Sequence, residues 1–308
     1  MKLALGKNMK TTDSNAIIML IAASCIWGTT PLFAHAAFYY NVSPAMLVES
    51  RLLIGILAFY IIYGQKLSAR KMNCYSTKSL LLCALCFIAN YVLYHVGLIY
   101  TTPAAAQFIE STSPVFVLLF ACIVKEEKLS LVKFAGTFIC LIGTGLIFHS
   151  QVDIRGQMIG NILEMLAAMG WGCFIVQSSH VLKLCKPIPY LMAIFGISAL
   201  LLFPFAVREL TVVEKDGLVV IVIMGIFHTS VAYYLYFEGL KRTSPVISGI
   251  IFALSPIVTL LLSTRVGKEH TTAEFLSGSL ILLTGILITT MIKGSIPSAQ
   301  VISDRYSS

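Results

Sequence analysis

YHVGLIYTTPAAAQFIESTSPVFVLLF, residues 94–120, returns later as YFEGLKRTSPVISGIIFALSPIVTLLL, residues 236–262. Gly97-Leu98 matches Gly239-Leu240, Pro103 matches Pro245, and Ser113-Pro114 matches Ser255-Pro256. The correspondence runs on through Glu127 and Glu269, Gly136 and Gly278, and Gly143 and Gly285. Every pair sits at one offset, 142 residues (239 − 97), with no gap. Chance matches drift, so the chain carries an internal duplication over 94–148 and 236–290. Each copy reads as an apolar helix ending, a tight turn before proline, and an apolar helix with a central proline. A charged turn and a glycine-bearing apolar helix complete it.

So apolar a unit belongs in a bilayer. The chain is 57% hydrophobic and only 12% charged, about half the charged fraction of a soluble domain, roughly 25%. A spanning helix takes about 20 apolar residues. Ten such segments are expected at 15–38, 44–64, 79–99, 103–123, 131–149, 158–180, 188–207, 217–238, 245–264 and 274–292. Little chain remains for a soluble domain, and the tail after Lys293 is polar.

The net charge of +8 is a topology signal rather than a nucleic-acid footprint. With a cytoplasmic N-terminus, Lys66, Arg70, Lys71, Lys125, Lys128, Lys183, Lys186, Lys241 and Arg242 all fall inside. Outside are Arg155, Arg208, Lys215, Arg265 and Lys268. Cytoplasmic loops carry such an excess, so both termini are expected inside. None of the eight cysteines falls in an expected outer loop, and we expect no disulfide framework. Cys83 and Cys86 have redox spacing but sit in an apolar helix, where small packing residues are the simpler reading.

The start of the chain imitates a signal peptide, with Lys7 and Lys10 before an apolar run and Ala34-His35-Ala36 after it. Trp27-Gly28 recurs, however, as Trp171-Gly172, at an offset of 144 (171 − 27). Cleavage would leave the second copy unpaired, so we expect the segment to be retained. Five helices per half is an odd number, so the second copy enters from the opposite side. Inverted repeats of this kind recur in secondary transporters, with substrate sites near the midplane between the repeats. The expected architecture is an all-α integral membrane protein of ten transmembrane helices in two inverted five-helix repeats, 1–150 and 151–308.

The duplicated unit, the Trp-Gly of helices 1 and 6, Arg51 early in helix 2, and the Pro-x9-Ser-Pro of helices 4 and 9 before a turn glutamate resemble the drug/metabolite transporter superfamily. The likeness is to its EamA branch and covers nearly the whole chain. It implies ten helices around a central cavity and export of amino acids or related metabolites.

Glu110 stands out among the candidate site residues. A carboxylate at membrane depth costs about 2.5–3.5 kcal/mol and usually faces the bundle interior. It is suited to bind a substrate ammonium or carry a coupling proton; the plain alternative is a helix–helix hydrogen bond. Gln107, one turn earlier, extends its face. Pro114 and Pro256 remove backbone donors mid-helix, freeing the carbonyls of the equivalent residues Glu110 and Phe252.

His95 and His228 titrate near neutrality when unperturbed, although a carbonyl-bonded core histidine is the commoner arrangement. Trp27, Tyr91, Tyr94, Trp171, Tyr233, Tyr234 and Phe252 could wall an apolar pocket or cation–π cage; core or interfacial positions also suit such residues. Glu49 and Arg51 are expected near the outer interface, and Glu164 in a structural role near a helix start. No Walker motif, zinc-binding pair or nucleophile elbow is present, and neither a cofactor nor a metal is expected. The expectation is a secondary transporter of small metabolites, an amino-acid or amine exporter in a cytoplasmic (inner) membrane. A non-transporting receptor or assembly partner on the same fold is the alternative.

Overall fold

The structure, a computed structural model, describes residues 14–64, 76–124, 130–150, 155–210, 212–243, 245–252, 254–266 and 272–291. Among them every regular element is helical. The first half runs α1 (Ser14–Tyr39), α2 (Pro44–Tyr63), α3 (Thr77–Tyr100), α4 (Pro103–Glu110), α5 (Ser113–Ile123) and α6 (Leu131–His149). The second runs α7 (Arg155–Leu184), α8 (Pro187–Arg208), α9 (Lys215–Ile223), a π-helical segment (Met224–Val231), α10 (Ala232–Arg242), α11 (Pro245–Phe252), α12 (Ser255–Arg265) and α13 (Ala273–Met291).

Local chemistry sets the helix starts. Ser43 accepts a hydrogen bond from the Met46 amide with Pro44 in the first turn, and Thr102 does the same for Ala105 ahead of α4 with Pro103. Such caps satisfy amide donors that the helix leaves orphaned. Seven helical stretches among the described residues are long and apolar enough to cross a bilayer. These are Ser14–Tyr39, Pro44–Tyr63, Thr77–Tyr100, Pro103–Ile123, Gln157–Ser179, Pro187–Arg208 and Lys215–Arg242; Phe134–His149 and Ala273–Ile288 are shorter apolar helices. The protein is a multi-span membrane protein.

Three of the expected stretches are interrupted, 245–264 among them, which divides into α11 and α12 as its repeat equivalent 103–123 divides into α4 and α5. The first, 103–123, breaks at Ser111-Thr112 into α4 and α5. There the Ser111 hydroxyl donates to the Phe108 carbonyl at 2.6 Å and the Thr112 hydroxyl to the Ile109 carbonyl at 2.7 Å. These bonds supply partners to carbonyls at a helix end that Pro114 prevents from continuing. The second, 217–238, holds the π-helical segment, where Ser230 donates to the Gly225 carbonyl five residues back.

The side-chain distribution inverts that of a soluble protein. Leu53, Leu57, Phe138 and Leu200 are exposed, whereas Arg51, Asn90, His95, Gln107, Glu110 and Glu164 are buried. Hydrocarbon outside and polar groups inside is what a bilayer solvent requires. Glu164 lies in the third turn of α7, fully buried, with neither carboxylate oxygen hydrogen-bonded. Cys25, Cys83, Cys86, Cys122, Cys140 and Cys173 are free thiols. Cys185, against the expectation, is disulfide-bonded.

Contacts between the halves come in exchanged pairs. A Cβ on Gly28 would meet Val258 of α12 at 2.7 Å, and one on Gly172 would meet Phe116 of α5 at 2.6 Å; Phe116 and Val258 are repeat equivalents. Helices α6 and α13 meet backbone to backbone. A Cβ on Gly278 would lie 2.9 Å from the Gly143 carbonyl, and one on Gly285 2.8 Å from that of Gly136. His149 at the end of α6 reaches Glu274 at the start of α13, 2.6 Å away. Position rises along one helix as it falls along the other, so the two are antiparallel.

Candidate functional site

A cavity of about 50 Å³ lies at the meeting of the two halves. Trp27 and Thr30 of α1, Arg51 of α2, Asn90, Tyr91, Tyr94 and His95 of α3, and Gln107 and Glu110 of α4 form one side. Trp171 of α7, Tyr233 of α10 and Phe252 of α11 form the other. Of the residues read from sequence, Trp27, Tyr91, Tyr94, His95, Gln107, Glu110, Trp171, Tyr233 and Phe252 are thus brought together.

His228 is not among the lining residues. Its ring lies 2.7 Å from the Thr29 hydroxyl, and its carbonyl accepts from the Trp27 indole at 3.0 Å. It braces Trp27 from behind. The physical reason is the π-helical segment that contains it: i→i+5 bonding changes the face each residue presents, so reading this stretch with α-helical spacing misplaces it.

Glu110 sits at the end of α4, where the helix breaks. Its Oε1 accepts from the Asn90 amide at 2.9 Å, while Oε2 is buried with no hydrogen-bond partner. The same Asn90 nitrogen donates to the Ala167 carbonyl at 3.0 Å, spending both its hydrogens. Beside this pair a hydrogen-bonded chain crosses between the halves. Tyr94 donates to Gln107 at 2.9 Å, Gln107 to Ser255 at 3.0 Å, and Ser255 to the Phe252 carbonyl at 2.8 Å.

The opposing surface is aromatic. Trp27 and Trp171, equivalent in the repeat, meet edge-on with ring centroids 5.6 Å apart. Tyr233 lies 5.0 Å and Phe252 5.9 Å from Trp27. Phe252, the counterpart of Glu110, stacks at 6.3 Å on Trp171. One half therefore supplies the acid and the other an apolar wall.

Sequence reasoning missed Arg51, Asn90, Thr30 and Thr229. Arg51 is 1% exposed, buried among protein groups rather than solvated, and Glu49 beside it is buried too. The Arg51 Nε donates to Thr229 of the π-helical segment at 3.1 Å, Nη2 to the Tyr91 hydroxyl at 2.8 Å, and Nη1 to His95 Nε2 at 2.7 Å. A guanidinium has only donors, so His95 Nε2 accepts. The imidazole proton is then on Nδ1, which donates to the Tyr91 carbonyl at 2.7 Å. The signal in the sequence for Arg51 was a cation in a helix whose only other charged residue is Glu49, with no acid three or four residues away to pair with. Among the described residues no three His, Cys, Asp or Glu come together as a metal site requires.

Chemically, the site offers an acid with a free oxygen, a buried cation, neutral hydrogen-bond groups and an aromatic wall. The arrangement suits recognition.

The sequence matches the EamA-like transporter family over residues 14–149 and again over 158–291. Among curated relatives, the uncharacterized transporter YxxF of Bacillus subtilis is 24% identical, over 82% of this chain and 81% of its own. An uncharacterized transporter of Archaeoglobus fulgidus is 23% identical, over 88% of this chain and 97% of its own. The uncharacterized inner membrane transporter YhbE of Escherichia coli is 23% identical, over 83% and 82%. A solved crystal structure superposes with a TM-score of 0.67 at 19% identity, over 90% of this chain and 98% of that one, a likeness of fold. The chain belongs to the EamA-like transporter family.

Proposed function

We propose that the chain is a secondary transporter of amino acids or amines, working by alternating access between two inverted five-helix repeats, 1–150 and 151–308. The observation that carries this reading is Glu110: a buried carboxylate with an unspent oxygen, on a cavity whose far wall is Trp27, Trp171, Tyr233 and Phe252. A carboxylate facing aromatic rings complements an ammonium on a hydrophobic body. Glu110 is also our candidate carrier of a coupling proton.

The exchanged contacts of Gly28 with Val258 and Gly172 with Phe116, and the antiparallel seam of α6 and α13, support the inverted arrangement. The ten-helix count and the inner-membrane setting with both termini cytoplasmic rest on hydropathy and the Lys/Arg distribution. The outward direction comes from the family resemblance. At about 50 Å³ the cavity is several times smaller than pockets enclosing small ligands, roughly 300–1,000 Å³. We read this as a closed conformation that must part to admit substrate.

The test is uptake into proteoliposomes holding the purified chain, against labelled amino acids and matching amines. Uptake above protein-free vesicles for at least one compound is expected. Uptake of none of them would remove this reading and leave the non-transporting alternative.

A further inference from the structure

Glu164 is an acid buried in α7 that does not line the cavity. Among the described residues neither of its carboxylate oxygens has a hydrogen-bond partner. The carboxyl packs on Gly97 of α3, in the other half, where a Cβ would lie 2.6 Å from Oε1 and 3.0 Å from Cδ. The repeat holds a second copy of this contact. At the Trp-Gly offset of 144, Glu164 corresponds to Leu20 (164 − 144), and Gly97 is the equivalent of Gly239. A Cβ on Gly239 would meet Leu20 Cγ at 2.7 Å. The same two Cβ atoms would lie 3.2 Å from the Gly160 carbonyl and 3.1 Å from that of Ala16, again equivalents. The two seams are built alike, with hydrocarbon in one and a carboxyl in the other. Packing asks only for leucine, so packing does not account for the acid.

The ionisable groups that act on Glu164 are Glu110 of α4 and Tyr94 of α3. The Tyr94 hydroxyl is already donated to Gln107. Helix α7 holds no other charge between Gln157 and Trp171, and α5 and α11 carry no acid, lysine, arginine or histidine. Helix α10 meets α7 farther along, at Trp171 and Phe174. An ionised carboxylate without a partner is too costly for a protein interior, so the closed seam demands the neutral acid. Intramembrane acids of this kind serve as proton relays in pumps and transporters.

We propose that Glu164 is a proton-binding site on the seam between the halves, loaded while Gly97 covers it and unloaded when the halves part. Parting admits water to the carboxyl. The O–H bond then breaks and its proton passes to water, leaving a solvated carboxylate; closing again requires a proton to return. The site adjoins the cavity without belonging to it: Ala167, one turn along α7, shares the Asn90 amide with Glu110. Proton binding stands on the seam itself, and its use in transport rests on the reading above.

The experiment is an infrared pH titration of the purified chain in lipid, wild type against Glu164→Leu and Glu164→Gln. Leucine is what the other half carries in this place, and glutamine keeps the shape of the acid. The wild-type-minus-variant spectrum should hold a carboxylic-acid carbonyl band that fades as pH rises and returns as it falls. No such band, or a band unchanged at every pH the folded chain survives, would overturn the site. Failure of both variants to fold would show that packing needs the acid and would overturn it too. In proteoliposomes, with any labelled amino acid or amine that is taken up, an imposed pH difference should change the uptake rate of wild type but not of Glu164→Leu, and Glu164→Asp should recover part of the response. Equal responses in wild type and Glu164→Leu would overturn the role in transport. Uptake of no compound would remove the transport reading alone, and the infrared titration would still decide the site.

Discussion

At the scale of single residues, the site is held by side chains that each serve two partners. Asn90 bridges Glu110 and the Ala167 carbonyl, tying α4 to α7 through α3. Hydrogen bonds within membrane bundles average about 0.6 kcal/mol and reach about 1.7; the upper end is expected for an amide serving a carboxylate. Asn90→Leu should therefore lower stability by about 1–2 kcal/mol, and by clearly less when Glu110 is already leucine. A double-mutant cycle on thermal unfolding measures the difference, and equal costs in both backgrounds would show no coupling. Glu110 was legible in the sequence because a carboxylate inside an apolar run is costly wherever it points. Arg51 was left out of the site because nothing local in the sequence reports how far the cavity extends toward the Ser43-Pro44 helix start. His228 does not line the cavity; it sits in the π-helical segment with its ring against Thr29, close to the core-histidine arrangement that was the commoner expectation.

At the scale of elements, the seam between α6 and α13 shows how backbone contact depends on particular glycines. The repeat pairs Gly136 with Gly278 and Gly143 with Gly285, whereas Gly145 matches Leu287 at that offset and has no glycine counterpart. The structure separates them: a Cβ on Gly278 would meet the Gly143 carbonyl and Leu146 Cβ, both at 2.9 Å, whereas one on Gly145 meets nothing within 4 Å. Gly278→Ala should cost about 1–3 kcal/mol, as overpacking does. Gly145→Ala should be neutral or stabilising by up to about 1 kcal/mol, since alanine is the better helix former. Melting curves of the two variants check this, and equal effects would mean the seam is not close-packed. The α4–α5 break was half legible: proline promised an interruption, but not that Ser111 and Thr112 hydroxyls would take up the carbonyls beside it.

At the scale of the molecule, orientation and movement decide function. The Lys/Arg asymmetry is the ground for our proposal that both termini lie inside. Labelling intact cells with a membrane-impermeant thiol reagent decides. A probe cysteine replacing Gln151 should react and one replacing Arg70 should not; both positions lie outside the described residues. The reverse pattern would overturn the orientation. The duplication was legible because matched residues keep a constant offset, but which side chains meet across the halves depends on packing no offset reveals. Trp27 against Trp171 and Gln107 against Ser255 are such contacts.

The central claim is that Glu110 works on the substrate and does not merely hold α4 in place. Glu110→Gln preserves shape and can still accept from Asn90, but it cannot ionise. The direct measurement is substrate uptake by wild-type and Glu110→Gln proteoliposomes across a range of pH, with matched protein content and melting temperature. The account predicts a folded variant whose uptake falls at least tenfold or loses its pH dependence. Uptake equal to wild type at every pH would contradict it and leave Glu110 a structural hydrogen-bond acceptor.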